Sequence, residues 1–334
     1  MVIPNWNGLK WLGPCLQSLR LQDFKDFKAI VVDNGSVDGS VAFMREQFPE
    51  VQIVELPVNV GFAAGMNAGI RVAKGSYIAA LNNDTEADPQ WLSSMVKVMN
   101  GQPQFSVFAC KIMDFSRRDI FDSLGDGYSR SGLSFKLAAR CKDDGSFVEP
   151  FEVFGACAAA CIYRKSMLDE IGLYDEDFFA YMEDVDLCIR ARLAGYRCLA
   201  IPDAIVYHVG SATNGGSASA FSVRLTTRNL FAVILKNLPL AMLPRMLCTA
   251  FLVQLAAVGQ AFTTNKRPWL KQHFGAYIKG LGEALTAVPT TLAKRKKTAP
   301  LRKLRAAEFA QELNKAKHMR RAIEQKLTGS VQGI

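Results

Sequence analysis

The sequence lacks the Cys and His spacings of zinc sites and the CxxC pairs of redox proteins, although it holds eight cysteines and three histidines. Four cysteines, Cys110, Cys157, Cys161 and Cys248, lie within apolar runs, where cysteine usually packs as a small hydrophobic side chain. We therefore expect reduced thiols, as in a cytosolic protein.

Two further absences narrow the class of protein. The sequence contains no low-complexity tract, and 49% of its residues are hydrophobic against 21% charged, which excludes a wholly disordered chain. Its first residues lack the basic region and apolar segment of a secretory signal, so we expect no export. A chain of 334 residues suggests about two domains.

Acidic residues are scarce towards the C-terminus. The net charge is +9, but residues 264–334 hold 16 Lys and Arg against 4 Asp and Glu, whereas residues 1–263 hold 24 against 27. The tail therefore carries +12 and the body −3. This imbalance argues against a body that binds nucleic acid.

The basic tail has an amphipathic pattern. Apolar residues recur mostly every three or four positions from 301 to 327, which predicts a helix whose opposite face is strongly basic. We expect this helix to bind an anionic membrane surface, where each Lys or Arg adds about 1 kcal/mol. A solvated helix and a dimer contact are the alternatives. RNA binding is disfavoured because the tail has few aromatic side chains for stacking.

An uncharged run at residues 246–265 is long enough to span a bilayer. It contains Gln254 and Gln260, and Lys236 and Arg245 lie close upstream. These polar residues favour a core or interfacial helix over a membrane span.

Strands and helices alternate over the first hundred residues, which predicts an α/β fold with a mostly parallel sheet. The predicted strands cover residues 28–33, 51–56 and 77–81, and the predicted helices cover 40–48, 62–73 and 89–99. In such sheets ligands bind beyond the carboxyl ends of the strands. Asp33 and Asp84 both lie at such ends.

Each of these two carboxylates allows two interpretations. Asp33 could accept a hydrogen bond from a bound base or sugar, or it could cap the following helix. Residues 82–86 (NNDTE) have the oxygen ligands that suit Mg²⁺ or Mn²⁺ bound partly by substrate phosphates. They could equally be a polar loop before a helix.

Three more carboxylates, Glu183, Asp184 and Asp186, open a predicted helix at 183–194. They could simply stabilise the helix dipole, but crowding of like charges also raises a pKa and suits a general base. His208 follows an apolar run and so also lies at a predicted strand end, where structural and functional roles are equally open.

Five separated motifs occur in order: residues 4–8 (PNWNG), 32–36 (VDNGS), 59–67 (NVGFAAGMN), 81–84 (LNND) and 183–187 (EDVDL). Over residues 1–212 the chain resembles the family 2 inverting glycosyltransferases, and most of all their bacterial rhamnosyltransferase-type branch. The resemblance implies a GT-A fold, with a mixed, mostly parallel central sheet and a C-terminal helical segment. It implies a catalytic domain at 1–222, with a nucleotide-binding half at about 1–105 and an acceptor-binding half at 106–222. The region 223–334 would be helical, basic and membrane-associating.

The resemblance also implies roles for individual residues. Asp84 and His208 would hold Mg²⁺ or Mn²⁺, Asp184 would be the general base, and Glu183 would be its alternate. Asn82 replaces the first aspartate of the family's DxD-type signature, which leaves fewer charges on the metal. The residues implied to bind the nucleotide sugar are Pro4, Asn7, Asp33 (on the base), Asn34, Ser36, Gly61, Asn67, Asn82 and Asn83.

The implied reaction moves a sugar, with inversion, to a hydroxyl group of a glycan or lipid-linked acceptor in bacterial surface polysaccharide synthesis. The resemblance favours dTDP-rhamnose as donor. UDP-sugars stay open because Asp33 would accept from N3–H of either thymine or uracil. We expect a cytoplasmic protein held peripherally on the inner face of the cell membrane, with no nucleic-acid partner.

Two other function classes remain as alternatives. A sugar nucleotidyltransferase would need a glycine-rich, basic loop after its first strand, and residues 4–8 lack one. A non-catalytic nucleotide-sugar-binding or membrane-scaffolding protein would have a degenerate site, whereas Glu183 and Asp184 are both present.

Overall fold

A ten-stranded sheet forms the centre of the computed structural model, which describes residues 1–210, 219–263 and 268–329. A second sheet has two strands. The strands are β1 (Val2–Asn5), β2 (Ile30–Asn34), β3 (Gln52–Leu56), β4 (Tyr77–Leu81), β5 (Thr85–Ala87), β6 (Phe105–Asp114), β7 (Phe121–Ser123), β8 (Asp126–Tyr128), β9 (Ser134–Lys136), β10 (Phe151–Val153), β11 (Ala160–Arg164) and β12 (Arg197–His208).

The strand order across the large sheet is β10-β12-β6-β11-β4-β1-β2-β3, with β5 paired to β12 and β7 to β6. Strands β1, β2, β3, β4, β6 and β12 run in one direction, and β5, β7, β10 and β11 run in the other. The small sheet pairs β8 with β9. The prediction of an α/β fold with a mixed, mostly parallel sheet is confirmed.

Twelve α-helices are found in the described ranges. They are α1 (Leu9–Arg20), α2 (Ser40–Gln47), α3 (Phe62–Val72), α4 (Trp91–Asn100), α5 (Lys165–Ile171), α6 (Glu183–Leu193), α7 (Ala220–Asn237), α8 (Leu243–Thr263), α9 (Pro268–Gln272), α10 (Phe274–Thr286), α11 (Val288–Thr298) and α12 (Ala306–Gly329). The four helices predicted before residue 195 correspond to α2, α3, α4 and α6, and their ends differ from those predicted by at most two residues. The predicted tail helix corresponds to α12, which begins five residues later than predicted.

Both faces of the central sheet are apolar. Because successive side chains of a strand point to opposite faces, Val2 and Val32 contribute to one core and Ile3 and Val31 to the other. Residues of α3, α5 and α6 complete the first core, and residues of α1, α2 and α4 complete the second. This double coverage explains why the parallel strands read as continuous apolar runs.

A buried ion network fixes α7 to the start of α6. The Nζ atom of Lys236 lies 2.6 Å from Asp175 and 2.9 Å from Asp186. Asp186 also accepts from Arg190 Nε at 2.8 Å and from Asn237 Nδ2 at 2.7 Å. Burial alone would raise the pKa of Asp186, but the charges of Lys236 and Arg190 outweigh it and lower that pKa to about 2. Removing one partner would leave an uncompensated buried charge.

The predicted tail helix forms as α12, and its apolar face packs on the body of the protein. Phe309 and Leu313 are buried in one core with Phe154, and Ile323 and Leu327 are buried in the core on the α3 side of the sheet. The apolar residues that suggested an amphipathic membrane helix are therefore enclosed by protein. The basic face of α12 is the part that can meet a membrane.

The uncharged run forms a helix with an unusual degree of exposure. Among the described residues, the segment Leu240–Thr263, with 24 residues, is long and apolar enough to cross a membrane. An 18-residue window of this segment has a mean hydropathy of 1.6, yet only 17% of that window is buried. A core helix would be mostly buried, so the core alternative for 246–265 does not hold over this segment. Residues 264 and 265 lie outside the described residues.

The packing of α12 predicts a large loss of stability for Phe309→Ala. Phe309 is 0% exposed, so truncation should lower the free energy of unfolding by about 3–5 kcal/mol in chemical denaturation. Leu285→Ala is the control, because Leu285 is 74% exposed and its loss should change stability by less than about 0.5 kcal/mol. Equal stability of the two variants would contradict the docking of α12 on the body.

Candidate active site

The strand order explains why the polar strand ends meet at one edge of the sheet. β11 is antiparallel to both β4 and β6, and β12 is parallel to β6, so β4 and β12 end at the same edge. β5 then folds back along β12 with Thr85 opposite His208. This pairing brings Asp84 next to His208.

Asp33, at the end of β2, is 3% exposed and is held by the neighbouring strand end. Its Oδ1 accepts from Asn5 Nδ2 at 3.1 Å, and its Oδ2 accepts from the backbone N–H of Ser36 at 2.9 Å. Asn5 in turn accepts from Asn83 Nδ2 at 2.7 Å. Since each carboxylate oxygen can accept two hydrogen bonds, Asp33 keeps acceptor capacity for a ligand N–H.

The loop after β1 is hydrogen-bonded to the turn that follows β2. Asn7 has a φ of 48°, and its backbone N–H donates to Ser36 Oγ at 2.9 Å. Its side-chain Oδ1 accepts from the N–H of Val37 at 2.8 Å. Pro4 lies within β1, opposite Val32. Asn7 and Ser36 thus shape the wall beside Asp33.

Asn34 and Gly61 join this region to the loop before α6. Asn34 Oδ1 accepts from the N–H of Val60 at 2.9 Å, and its Nδ2 donates to the carbonyl of Gly61 at 3.0 Å. Gly61 has a φ of 90°, and a Cβ at this position would lie 2.6 Å from the carbonyl oxygen of Phe179. The close approach of two backbones therefore requires glycine at position 61.

Asn67, on α3, is engaged by protein rather than open to solvent. It is 1% exposed, its Nδ2 donates to the carbonyl of Tyr174 at 2.8 Å, and its Oδ1 accepts from the N–H of Tyr174 at 3.0 Å. Nδ2 also donates to Glu176 Oε1 at 2.9 Å. These bonds hold the loop that leads to Glu183 and Asp184.

Asp84, His208 and Asn82 form a set of possible metal ligands. His208 Nε2 lies 3.4 Å from Asp84 Oδ1 and 3.5 Å from Asn82 Nδ2. Among the residues that the structure describes, the buried Oδ1 of Asn82 has no hydrogen-bond partner. A carboxylate, an imidazole and an amide oxygen with no protein partner fit a divalent cation such as Mg²⁺ or Mn²⁺.

His208 is oriented by Asp122, which the sequence patterns did not point out. Its Nδ1 lies 2.9 Å from Asp122 Oδ2, and Lys136 Nζ donates to Asp122 Oδ1 at 2.7 Å. Burial would lower the pKa of His208, but the hydrogen bonds and charges of Asp122 and Asp84 outweigh it and raise that pKa to about 9. Asp84, His208, Asp122 and Lys136 thus form a row of alternating charge.

Asp184 lies in the first turn of α6, next to a sharply bent loop. Its Oδ1 accepts from the N–H of Val185 at 2.7 Å, and its Oδ2 accepts from the N–H of Ala158 at 3.2 Å. Burial raises its pKa, against the effect of these bonds. A fixed carboxylate of raised pKa has the properties of a general base.

The loop before Asp184 contains three non-glycine residues of positive φ, Phe179, Tyr181 and Met182, at 63°, 67° and 70°. Asn229 of α7, which is 1% exposed, holds this loop in place. Its Nδ2 donates to the carbonyls of Phe178 at 3.1 Å, Ala180 at 3.0 Å and Tyr181 at 2.7 Å. Such conformations persist only where surrounding contacts enforce them.

Glu183 differs from its neighbour. Glu183 is 6% exposed, and its Oε2 has no hydrogen-bond partner within residues 1–210, 219–263 and 268–329. Burial, followed by the charge of Asp184, raises the pKa of Glu183 well above its usual range. A neutral Glu183 beside Asp184 favours Asp184 as the residue that accepts a proton.

A second group of possible ligands consists of Asp126, Cys157 and Asp184, whose ligand atoms lie within 4.8 Å of one another. Burial raises the pKa of Cys157, so its thiol is protonated and a poor ligand. The charge of Lys136 also acts on this group. Asp84, His208 and Asn82 are therefore the better metal site.

A family model of "Glycosyl transferase family 2" matches residues 1–172, which is just over half of the chain. The chain belongs to glycosyltransferase family 2. Transferase activity on a sugar follows from this membership.

Two relatives show how similar the sequence is to known proteins and how much of each chain the similarity covers. The N-acetylglucosaminyl-diphospho-decaprenol L-rhamnosyltransferase of Mycobacterium tuberculosis is 23% identical over 244 residues, which cover 65% of this chain and 78% of that protein. An uncharacterized protein of Sinorhizobium fredii, y4gI, is 27% identical over 228 residues, or 64% of this chain. The match spans only 25% of the length of y4gI.

The similarity of fold extends over nearly the whole of this chain. The crystal structure of S. aureus TarS 1–349 in complex with UDP-GlcNAc matches with a TM-score of 0.55 at 18% identity, covering 97% of this chain and 91% of that one. The expected GT-A fold is confirmed.

The buried carboxyl of Asp126 predicts a pH-dependent stabilisation by Asp126→Asn. Burial, aided by the charge of Asp184, raises the pKa of Asp126 to about 7, above its value of roughly 3.9 in an unfolded chain. The folded protein therefore loses stability as the pH rises through this window, and an asparagine does not. We expect the Tm of the variant, measured with EDTA present, to exceed that of wild type by more at pH 8 than at pH 4.5.

The control for this variant is Asp119→Asn, since Asp119 is an exposed carboxylate paired with Lys142 at 3.3 Å. Its Tm difference from wild type should stay nearly constant over the same pH range. A constant difference for Asp126→Asn as well would show that Asp126 ionises normally in the folded protein.

Proposed function

We propose that this glycosyltransferase moves a sugar, with inversion at the anomeric carbon, from a nucleoside diphosphate donor to a hydroxyl group of a glycan or lipid-linked acceptor in bacterial surface polysaccharide synthesis. The observation that carries the proposal is the placement of Asp184 beside the strand end that carries Asp84 and His208. Asp184 accepts from the N–H of Ala158, the next residue Ala159 accepts from the N–H of Asn82, and Asp84 lies next to His208.

In the proposed reaction the acceptor oxygen forms a bond to the anomeric carbon from the face opposite the diphosphate. Asp184 takes the proton of that hydroxyl, and the bond between the anomeric carbon and the diphosphate oxygen breaks, with the electron pair leaving on the diphosphate. Because the N–H groups of Val185 and Ala158 hold both oxygens of Asp184, the base keeps its orientation during the transfer.

Asp84, His208 and the amide oxygen of Asn82 would hold Mg²⁺ or Mn²⁺, which would supply positive charge against the departing diphosphate. Asp122 accepts from Nδ1–H of His208, which directs Nε2 towards Asp84. Because Asp84 and Asp122 raise the pKa of His208, a cation at Nε2 would have to displace the Nε2 proton, and its binding should weaken as the pH falls. With Asn82 in place of an aspartate, the protein adds one less negative charge, so the donor diphosphate would complete the ligand set.

The proposed donor is dTDP-rhamnose, with UDP-sugars as the second candidate. The relative named as an L-rhamnosyltransferase supports the first, and the TarS complex with UDP-GlcNAc supports the second. Asp33 would accept the N3–H of either thymine or uracil. A thermal-shift panel of nucleotide sugars with Mn²⁺ would identify the donor by the largest rise in Tm.

The proposed location is the cytoplasmic side of the cell membrane, with peripheral attachment. The basic C-terminal region supports it, and so does the relative whose name specifies a decaprenol-linked acceptor. A lipid-linked acceptor lies at the membrane surface, so the enzyme would need to work there.

The two other function classes make different demands on the same site. A scaffold that only binds a nucleotide sugar has no use for a base, so nucleotide-sugar hydrolysis by the purified protein would count against it. A nucleotidyltransferase would form a nucleotide sugar from a nucleoside triphosphate and a sugar phosphate, which the same preparation can be tested for directly.

The role of Asp184 predicts that Asp184→Asn lowers kcat by about 10²–10⁴-fold, because an amide cannot take the acceptor proton. Nucleotide binding, measured by calorimetry, should stay near the wild-type value. Glu183→Gln should cost far less, since burial already disfavours the charged form of Glu183. Full transfer activity in Asp184→Asn would refute the assignment, and Asp169→Asn, at an exposed carboxylate, is the control.

The metal site predicts graded losses of Mn²⁺ affinity. Asp84→Ala removes a charged ligand, so Mn²⁺ titrated into this variant with nucleoside diphosphate should show no more binding than the nucleoside diphosphate shows alone. Asp122→Asn leaves the ligands but loosens His208, so we expect affinity to fall roughly tenfold to a hundredfold. The measurement is titration calorimetry, which needs no turnover. Unchanged affinity in Asp84→Ala would place the metal elsewhere.

A further inference from the structure

The outer side of α8 carries large apolar side chains. Phe251, Leu252, Leu255 and Phe262 are each 50–57% exposed. With 3.6 residues per turn, their spacing puts them on one side of the helix. We call these four residues the outer stripe.

The inner side of α8 carries smaller side chains. Met246, Ala250, Ala257 and Ala261 are at most 6% exposed, and three of them are alanines. A surface helix in water normally buries its large apolar residues and exposes polar ones. Large residues outside and small residues inside are the arrangement of helices that face lipid and pack closely on protein.

The region around the outer stripe is almost free of negative charge. Residues 238–303 contain one acidic residue, Glu283, against 11 Lys and Arg. Glu283 lies 3.3 Å from Arg224. Exposed lysines of the same region include Lys271, Lys279 and Lys296. An exposed apolar stripe in a basic segment of the chain is complementary to an anionic bilayer, which offers both acyl chains and negative headgroups.

We propose that the outer stripe docks into the boundary between headgroups and acyl chains of an anionic bilayer, with α8 lying in the membrane plane. The proposal identifies α8 as the element that attaches the protein peripherally to the membrane. It rests on the proposed function in one respect, which is that the membrane presents the lipid-linked acceptor.

The inner side of α8 explains why the helix lies on the membrane rather than crossing it. Ala257 and Ala261 pack with Val223 of α7 and Tyr277 of α10. At the other end, Met246 and Ala250 share a core with further residues of α7. Crossing the bilayer would require α8 to leave these contacts, whereas docking of the outer stripe keeps all of them.

The same supporting helix reaches the active site. Phe221, near the start of α7, packs edge-on against Phe179 and Tyr181, with ring centroids 5.9 and 6.3 Å apart. Asn229 of α7 binds the loop before Asp184. Docking through α8 would therefore fix the distance between Asp184 and the membrane surface. A lipid-linked hydroxyl group would be presented at that surface.

Flotation of the full chain with vesicles tests the proposal. The vesicles contain phosphatidylglycerol with phosphatidylcholine, or phosphatidylcholine alone. The test variant is Leu252→Gln with Leu255→Gln. The control is Leu21→Gln with Val148→Gln, because these residues are equally exposed, at 59% and 60%, and lie outside the C-terminal helices. A second variant, Lys296→Glu with Lys297→Glu, tests the charge.

We expect wild type and the control to float with anionic vesicles and to bind neutral vesicles more weakly. The leucine variant should lose at least about tenfold in affinity at unchanged Tm, and the lysine variant should lose binding to anionic vesicles alone. Anionic-vesicle binding by the leucine variant equal to that of the control would overturn the proposal. A second result would also overturn the proposal. If wild type and the control are dimers in analytical sedimentation and the leucine variant is a monomer, the outer stripe binds a second copy of the chain rather than a bilayer.

Hydrolysis of the nucleotide sugar, measured without vesicles, separates this proposal from the proposed function. Equal hydrolysis by wild type and the leucine variant, together with lost flotation, supports both. If none of the proteins hydrolyses or transfers sugar, the proposed function fails, and the flotation result still decides whether the outer stripe binds a bilayer.

Discussion

Crowding of carboxylates at one edge of the sheet is the constraint on which the active site depends. Five of them gather there: Asp84, Asp122, Asp126, Glu183 and Asp184. Like charges this close cannot all ionise without cations between them. His208 and Lys136 alternate with Asp84 and Asp122, while burial keeps Glu183 neutral. This arrangement leaves Asp184 as the proposed base, and it leaves Asp84 and Asn82 as the place where the proposed cation would add positive charge.

The C-terminal helices contact the residues around Asp184 and help to hold them in place. Lys236 neutralises Asp186, two residues after the base, and Asn229 fixes the carbonyls of the loop before it. Phe309 of α12 fills a core on the same side of the molecule. The geometry around Asp184 therefore relies on helices that lie beyond the part of the chain that the family model matches. The proposed domain boundary at residue 222 stays a prediction.

The sequence alone predicted those site features whose signals are local. Asp33, Asp84 and His208 each follow an apolar run, and a parallel sheet brings such ends together. Asp122 and Lys136 could not be found in this way, because β7 and β9 are three-residue strands without a clear pattern. Asn5 and Asn229 act through contacts distant in sequence. The exposure of α8 could not be predicted either, because the composition of an apolar helix does not show which of its faces packs against other helices.

Gly61 brings the start of α3 directly against Phe179, in the bent loop that precedes Asp184. Because glycine has no side chain, the distance between these two segments is set by the contact of the Gly61 backbone with Phe179. A side chain at position 61 would push this loop away from α3, whereas substitutions elsewhere in the loop leave the contact in place. Under the proposed function, side chains of the loop would then be free to vary with the acceptor while position 61 stays glycine.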